Sequence, residues 1–339
     1  MSAPLRPKAD RPSIRDVATA AGVSIATVSR ALKNQPGLTE VTRQQILDVA
    51  QSLGYNLTSL KPNRIKRMGF FIHREHTTLQ SNPFYFPVLH GAESICNREE
   101  VILTYSSVDE SDAIGKIVDL HGLDALMLVG YFTPEVVQRF LMTGRPMVLV
   151  DHHHQNIHSV NTDNFMGAYL VTQHLIAMGK NHIAFIDGQD SHYSIQQRFA
   201  GFLHALQDAG REFDERYRVA RDPVDAPEGA YLAMETLLEL PQPPDAVFAF
   251  NDMSALVAIK ACQDHGIKVP EQVAVVGFDN IPQASHSHPS LTTVHVDKEV
   301  LGREGARLLM GALEPRQVVI PVQLMIRQSS RLIHKRRRR

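Results

Sequence analysis

The chain has only two cysteines in 339 residues, Cys96 and Cys262. That is too few for a disulfide scaffold and fits a reducing compartment. No run approaches eighteen consecutive apolar residues, which leaves no candidate for a helical membrane span. The opening MSAPLRPKADRPS lacks the apolar stretch of a secretory signal, so the expected location is the cytoplasm. Also missing are a G-x-S-x-G elbow, a Walker phosphate loop and an H-E-x-x-H pair. The expectation is a protein without catalytic activity, cofactor or metal.

What the chain does have is 43% hydrophobic residues, enough for a sizeable core and more than one domain. Its net charge of −1 hides an asymmetry. Residues 1–67 carry eleven Lys or Arg against four acids, a net +7, and the remainder carries −8. A basic head on an acidic body points to a polyanion-binding module joined to a part that binds something else.

The head reads as three short helices, at about Ile14 to Ala21, Ile25 to Leu32 and Val41 to Leu53. Ser13, Ser24 and Thr39 are placed to cap their N-termini, and Gly54 fits the residue that ends the third. From Met68 onward, near-continuous apolar strands are expected at 68–72, 101–105, 125–130, 147–151, 182–187, 246–250 and 273–278. Segments long enough for helices separate them, such as Phe86–Arg98, Pro134–Thr143, Gly167–Met178 and Ser254–His265. This alternation indicates parallel sheets buried on both faces, with more strands than one open sheet needs. The expectation is therefore two doubly wound lobes.

The stretch DVATAAGVSIATVSRAL, residues 16–32, carries the most specific signal. Ala18 supplies a small residue where two helices approach, Gly22 the turn, and Val17, Val23 and Val28 the apolar contacts between them. That spacing is the helix-turn-helix pattern, whose second helix enters the DNA major groove. Its outward face would carry Ser24, Ile25, Ala26, Ser29 and Arg30. An ordinary helical hairpin has similar periodicity, but the +7 charge and the third helix favour DNA.

This stretch and the following LTEVTRQQILDVAQSLGY resemble the headpiece of LacI/GalR-family bacterial transcriptional regulators. NPFYFPVLHGAE, the run from VDHHHQ to AFIDG, SIQQRFAGFLHAL, FAFNDMSALVAIKA, VPEQVAVVGFDN and HPSLTTV extend the resemblance, in family order, over residues 13–333. It implies an all-α helix-turn-helix headpiece followed by an α/β periplasmic-binding-protein-like core of two doubly wound parallel-sheet lobes. The implied divisions are a disordered leader at 1–12, the DNA-binding domain at 13–58, a linker at 59–67, the core at 68–333 and a basic tail at 334–339. Within the core, lobe 1 would take about 68–163 and 292–322, and lobe 2 about 164–291 and 323–333. The implied function is a transcriptional repressor, acting as a homodimer on a pseudo-palindromic double-stranded DNA operator and responding to a small-molecule effector.

Carried over residue by residue, the resemblance implies that Ile25, Ala26 and Arg30 face bases. It assigns Ser24, Thr27, Ser29, Thr39, Thr42 and Tyr55 to positioning on the backbone. The linker YNLTSLKPNRIKRMGF departs from the family, being about four residues, or one helical turn, short. Two readings stay open: a minor-groove wedge at Leu57 or Leu60, or an extended linker with Lys61, Arg64, Lys66 and Arg67 on phosphates.

The resemblance also places effector contacts at Asp151, Arg198, Asn251 and Asp279, between the lobes. Walls for the ligand are expected from Phe84, Tyr85, Tyr193 and Phe278. Carboxylates accept from hydroxyls and arginine donates as a fork, which suits a polyol. Two acids against one arginine disfavour a phosphorylated or acidic ligand, so a neutral sugar or glycoside is expected, with a nucleoside or purine as the alternative. Each acid could instead cap a strand end or join a salt bridge; Asp279 in particular could cap the helix after it. His152, His153, His154 and His158 invite a metal site, but extended neighbours point alternately and the expectation is none. The terminal KRRRR is read as a solvated charge run. Rival readings are a transport component, opposed by the DNA-binding head, and a sugar-acting enzyme.

Overall fold

The computed structural model describes residues 12–32, 37–55, 65–74, 83–188, 192–221, 227–312 and 314–331. It divides into two compact units, residues 1–65 and 66–339.

In the first unit, α1 (Ile14–Ala21), α2 (Ile25–Leu32) and α3 (Glu40–Ser52) form where the helix signals stand. Ser13 and Asp16 make a reciprocal capping box at α1. Ser24 Oγ accepts from Thr27 N at 3.1 Å and Thr39 Oγ1 from Thr42 N at 3.2 Å. Gly22 takes φ +65°, a left-handed turn that a side chain would strain, and Val23 N then donates to Ala18 O at 3.1 Å. Val17, Ala18, Val28, Ala31, Ile46 and Ala50 fill the small core. Arg43, buried on α3, donates to Ala31 O at 3.4 Å and ties α3 to the end of α2.

The second unit has two parallel sheets. Lobe 1 contains β1 (Arg67–His73), β2 (Ile102–Val108), β3 (Ala125–Val129), β4 (Met147–Val150), β5 (His158–Thr162) and β11 (Gln317–Ile320), in the order β11-β5-β4-β3-β1-β2. Lobe 2 contains β6 (Ile183–Asp187), β7 (Arg218–Ala220), β8 (Ala246–Ala249) and β9 (Ala274–Val276), in the order β7-β6-β8-β9. A third, two-stranded sheet pairs β10 (Thr293–His295) antiparallel with β12 (Gln323–Met325).

Helices α4 (Tyr85–Arg98), α5 (Ile114–Leu120), α6 (Pro134–Leu141) and α12 (Lys298–Gly311) belong with lobe 1. Helices α7 (Asn164–Ala177), α8 (Tyr193–Asp208), α9 (Pro227–Leu238), α10 (Asp252–Asp264) and the short α11 (Pro282–His286) belong with lobe 2. The chain crosses between the lobes three times: after β5, before α12 and after β11. The second crossing comes a few residues later than the expected 292. Val276 bridges Thr292 and Asp279 bridges His295, so β10 stays with lobe 2.

Each lobe holds a helix pair at backbone contact. A Cβ on Gly302 of α12 would meet Val88 O at 1.9 Å, and one on Gly91 of α4 would meet Glu299 O at 2.1 Å. In lobe 2 the same approach joins α7 and α8, where a Cβ on Gly201 would meet Phe165 O at 2.1 Å. Only glycine permits this spacing.

Candidate functional site

Two sites follow from these elements, one in each unit. On α2, Val28 and Ala31 turn into the headpiece core, so the opposite face must look outward. Ser24, Ile25, Ala26 and Arg30 are exposed, while Thr27 and Ser29 are half-buried. Ile25 is 45% exposed, an apolar side chain left without cover at the helix start. Thr39 is exposed and Thr42 and Tyr55 half-buried. The starts of α2 and α3 are built alike. Ser24 and Thr27 hydroxyls lie 2.8 Å apart, and those of Thr39 and Thr42 2.7 Å apart. Each pair sits where unpaired helix N–H groups favour an anion. Leu57 and Leu60 lie outside the described residues, as do Lys61, Arg64 and the KRRRR tail.

The second site gathers at the C-terminal ends of the strands in both lobes, where a doubly wound fold leaves its crevice. Asp151 follows β4, and Asp279 follows β9 by three residues. Both are buried, and both adopt positive φ, 59° and 111°. Such backbone is uncommon for a residue with a side chain and tends to occur at functional sites.

Arg198 is 5% exposed and enters from α8. Its Nε donates to Asn164 Oδ1 at 2.8 Å, Nη1 to Phe250 O at 2.6 Å and Nη2 to Asp279 Oδ1 at 3.3 Å. The guanidinium also lies 3.8 Å above the Phe278 ring. Across the crevice, Asp151 accepts from Tyr85 Oη at 3.2 Å and from Ser194 Oγ at 2.5 Å. Ser194 belongs to α8 of lobe 2, so this bond spans the lobes.

Asn251 is half-buried and caps α10, its Oδ1 accepting from Ser254 N at 2.8 Å. The helix after Asp279, α11, has Ile281 at its N-cap and no side-chain cap bond, so Asp279 does not take the capping role weighed for it. Phe278 corrects an expectation: it is fully buried beneath Arg198 and forms no wall. It fills the space that Gly167 leaves open, where a Cβ would meet its ring at 2.7 Å. Phe84 and Tyr85 are also buried, their rings 5.2 Å apart edge-to-face. Tyr193 is half-buried beside His153, with ring centres 5.1 Å apart.

Several participants carried no signal in the sequence reading. Ser194 supplies the bond to Asp151, Asn164 holds Arg198, and Tyr131 packs between His152 and His192, each 5.7 Å away. Burial, reinforced by His192, lowers the His152 imidazole to about 4 and keeps it neutral at physiological pH.

A buried charge cluster lies behind Asp279. Asp252 is fully buried and accepts from Thr293 Oγ1 at 2.5 Å and Ile281 N at 2.9 Å. Burial, assisted by the Asp279 charge, pushes the Asp252 carboxyl up to about 8. Burial pushes Asp279 up to about 6 against the pull of Arg198 and Lys298. Lys298, in turn, is lowered by its own burial. A carboxyl raised on folding stabilises the native state below its ordinary value, and that contribution is lost as pH rises through the folded value. The core's melting temperature is therefore expected to fall between pH 5 and pH 8. Asp252→Asn should flatten most of that slope in calorimetric scans; an unchanged slope would show that Asp252 does not titrate there.

Comparison with known proteins follows the same division. Residues 13–57 match the family described as bacterial regulatory proteins, lacI family, and residues 172–330 match a periplasmic binding protein-like domain. The chain is 30% identical to the HTH-type transcriptional repressor PurR of Actinobacillus pleuropneumoniae serotype 3 (strain JL03), over 95% of this chain and 99% of that one. It is 32% identical to PurR of Erwinia tasmaniensis, over 88% of this chain and 89% of that one. Among solved structures, the complex of the transcriptional regulator CelR with cellobiose aligns with TM-score 0.73 and 29% identity, covering 94% of this chain and 100% of that one. A LacI transcriptional regulator from Bacillus cereus subsp. cytotoxis aligns with TM-score 0.73 and 27% identity, covering 80% and 100%. With a helix-turn-helix at its head, two parallel-sheet lobes behind it and relatives matched over nearly their whole length, the chain belongs to the LacI family of DNA-binding transcriptional regulators.

Proposed function

We propose that the protein is a repressor whose grip on a pseudo-palindromic operator is changed by a small neutral ligand bound between Asp151 and Asp279. The observation that carries this reading is Arg198, buried and held on three sides in the crevice beside two carboxylates. Such a constellation offers carboxylate acceptors and one fork of donors, which suits binding of a hydroxyl-bearing ligand. Sugar hydroxyls donate to carboxylates and accept from a guanidinium, which supports a sugar or glycoside and repression of carbohydrate-utilisation genes. The relatives named PurR and the ring pairs Tyr131–His192 and His153–Tyr193 beside Asp151 favour a second reading, a nucleoside or purine.

A thermal-shift panel separates the two. Cellobiose, glucose and ribose are set against adenosine, guanosine and hypoxanthine. The effector raises the melting temperature in proportion to the logarithm of its concentration; a flat response to every compound would remove both classes.

On DNA, Ile25 and Ala26 offer apolar contact and Arg30 a bidentate donor pair for guanine. Arg30→Ala should weaken cognate binding by ~1–3 kcal/mol and relax preference at one base position. A gel-shift titration with unchanged affinity and base preference would deny it that role. We assign dimerisation to lobe 1, where Phe86 of α4 and Ile102 and Tyr105 of the edge strand β2 leave large apolar side chains exposed. Ligand-linked repositioning of paired lobes then changes the spacing of two headpieces, and coupling of this kind is typically ~1–3 kcal/mol.

A further inference from the structure

Lys298 is the first residue of α12 in lobe 1, yet its ammonium points to the loop that carries Asp279 in lobe 2. It is 8% exposed. Its Nζ donates to the Asp279 backbone carbonyl, to Val296 O at 3.3 Å and, more weakly, to Asn280 O at 3.5 Å. Three donors thus meet three carbonyl oxygens, and no carboxylate lies within ion-pair distance among the described residues. On its other side the ammonium stands 5.6 Å from the centre of the Phe84 ring. Phe84 packs edge-to-face on Tyr85, whose hydroxyl donates to Asp151. The two crevice carboxylates are therefore joined behind the ligand site by one unbroken path: Asp279 carbonyl, Lys298, Phe84, Tyr85, Asp151.

A lysine buried on carbonyls gives up its hydration for a geometry that a hydrophobic side chain would fill at lower cost. Its value lies in direction. The loop after β9 cannot move relative to α12 without breaking these bonds, and α12 is locked to α4 through Gly302 and Gly91. We propose that Lys298 is a positioning residue that makes displacement of the Asp279 loop a displacement of α12 and α4, coupling occupancy of the crevice to lobe 1. The inference rests on the reading of Asp279 and Asp151 as ligand contacts, while its test requires no ligand.

Spin labels at Leu120→Cys on lobe 1 and Leu232→Cys on lobe 2 report the interlobe distance; both positions are exposed, and native Cys96 and Cys262 are buried. Labelled full-length chain is diluted into excess unlabelled chain, so that only pairs within one chain contribute. The unsubstituted background should give one narrow distance distribution. Lys298→Met should broaden it at least twofold while melting remains cooperative, and Lys298→Arg, which keeps a cation that donates to carbonyls, should recover most of the narrowing. A folded Lys298→Met chain with the original distribution overturns the proposal. Broadening that Lys298→Arg leaves undiminished overturns it too, because that marks a packing defect. Should Lys298→Met not fold, Phe84→Leu removes only the ring beneath the ammonium and must itself broaden the distribution. A flat thermal-shift panel would defeat the ligand reading and leave this result standing.

Discussion

Arg198→Ala should lower effector affinity by at least about 100-fold while operator binding persists. Charge-assisted hydrogen bonds contribute ~1.5–3 kcal/mol each, and a factor of 100 needs only ~2.8 kcal/mol. The same change should destabilise the core. Asp279 would keep its burial and lose the guanidinium that faces it, and breaking a buried pair in this way costs ~3–5 kcal/mol. For a domain of this size that corresponds to roughly 5–9 °C in melting temperature. Asp279 would answer by taking up a proton more readily, so part of the loss should be recovered at pH 5. Calorimetric titration with the compound selected by thermal shift, beside melting at pH 5 and pH 8, checks both halves. Wild-type affinity in the alanine variant would remove Arg198 from the site.

Gly302→Ala is the second large expectation. Its new methyl would lie 1.9 Å from Val88 O, a backbone atom inside α4 that no rotamer change can move. The helices must separate, which opens voids along a contact that supports the middle of lobe 1; ~3 kcal/mol is the expected loss. Gly311 provides the control on the same helix. Nothing lies within 4 Å of a Cβ there and its φ is not positive, so Gly311→Ala should be neutral or stabilising by ~0.5 kcal/mol. Urea denaturation of both variants decides the matter: equal midpoints would mean that the helix pair tolerates a wider spacing.

Much of this architecture could be read along the chain, for reasons that particular residues make plain. The headpiece helices are short-range objects, set by Ser13, Gly22, Ser24 and Thr39, and α1 and α2 begin and end where those signals stand. Apolar strands such as 125–129 and 246–249 announced themselves because both faces are buried. β5 and β7 did not, since HSVNT has a single apolar residue and RVA spans three residues. β11 escaped for another reason: as an edge strand it alternates exposed and covered positions.

The resemblance named Asp151, Arg198 and Asp279 as a candidate site, and the structure brings the three side chains to one crevice. Phe278 was misread because a ring next to a crevice residue looks the same in sequence whether it faces ligand or core; Gly167, over a hundred positions away, decides it. Lys298, in an Asp-Lys-Glu run, drew no reading from the sequence. Its burial follows from the antiparallel β10–β12 pair and the crossing before α12, which are tertiary facts.

Those crossings impose an order in time. The lobe that opens the fold at Arg67 has most of its strands by Thr162, yet β5 lacks its outer neighbour until β11, residues 317–320, has been made. At ~5–20 residues per second of synthesis, the nascent chain waits roughly 8–30 s with that edge bare. Meanwhile the second sheet, complete by Val276, can close inside the gap. A bare parallel edge invites pairing with a neighbouring nascent chain. Slow translation between Thr162 and Gln317 should therefore lower the soluble yield without changing one residue of the finished protein.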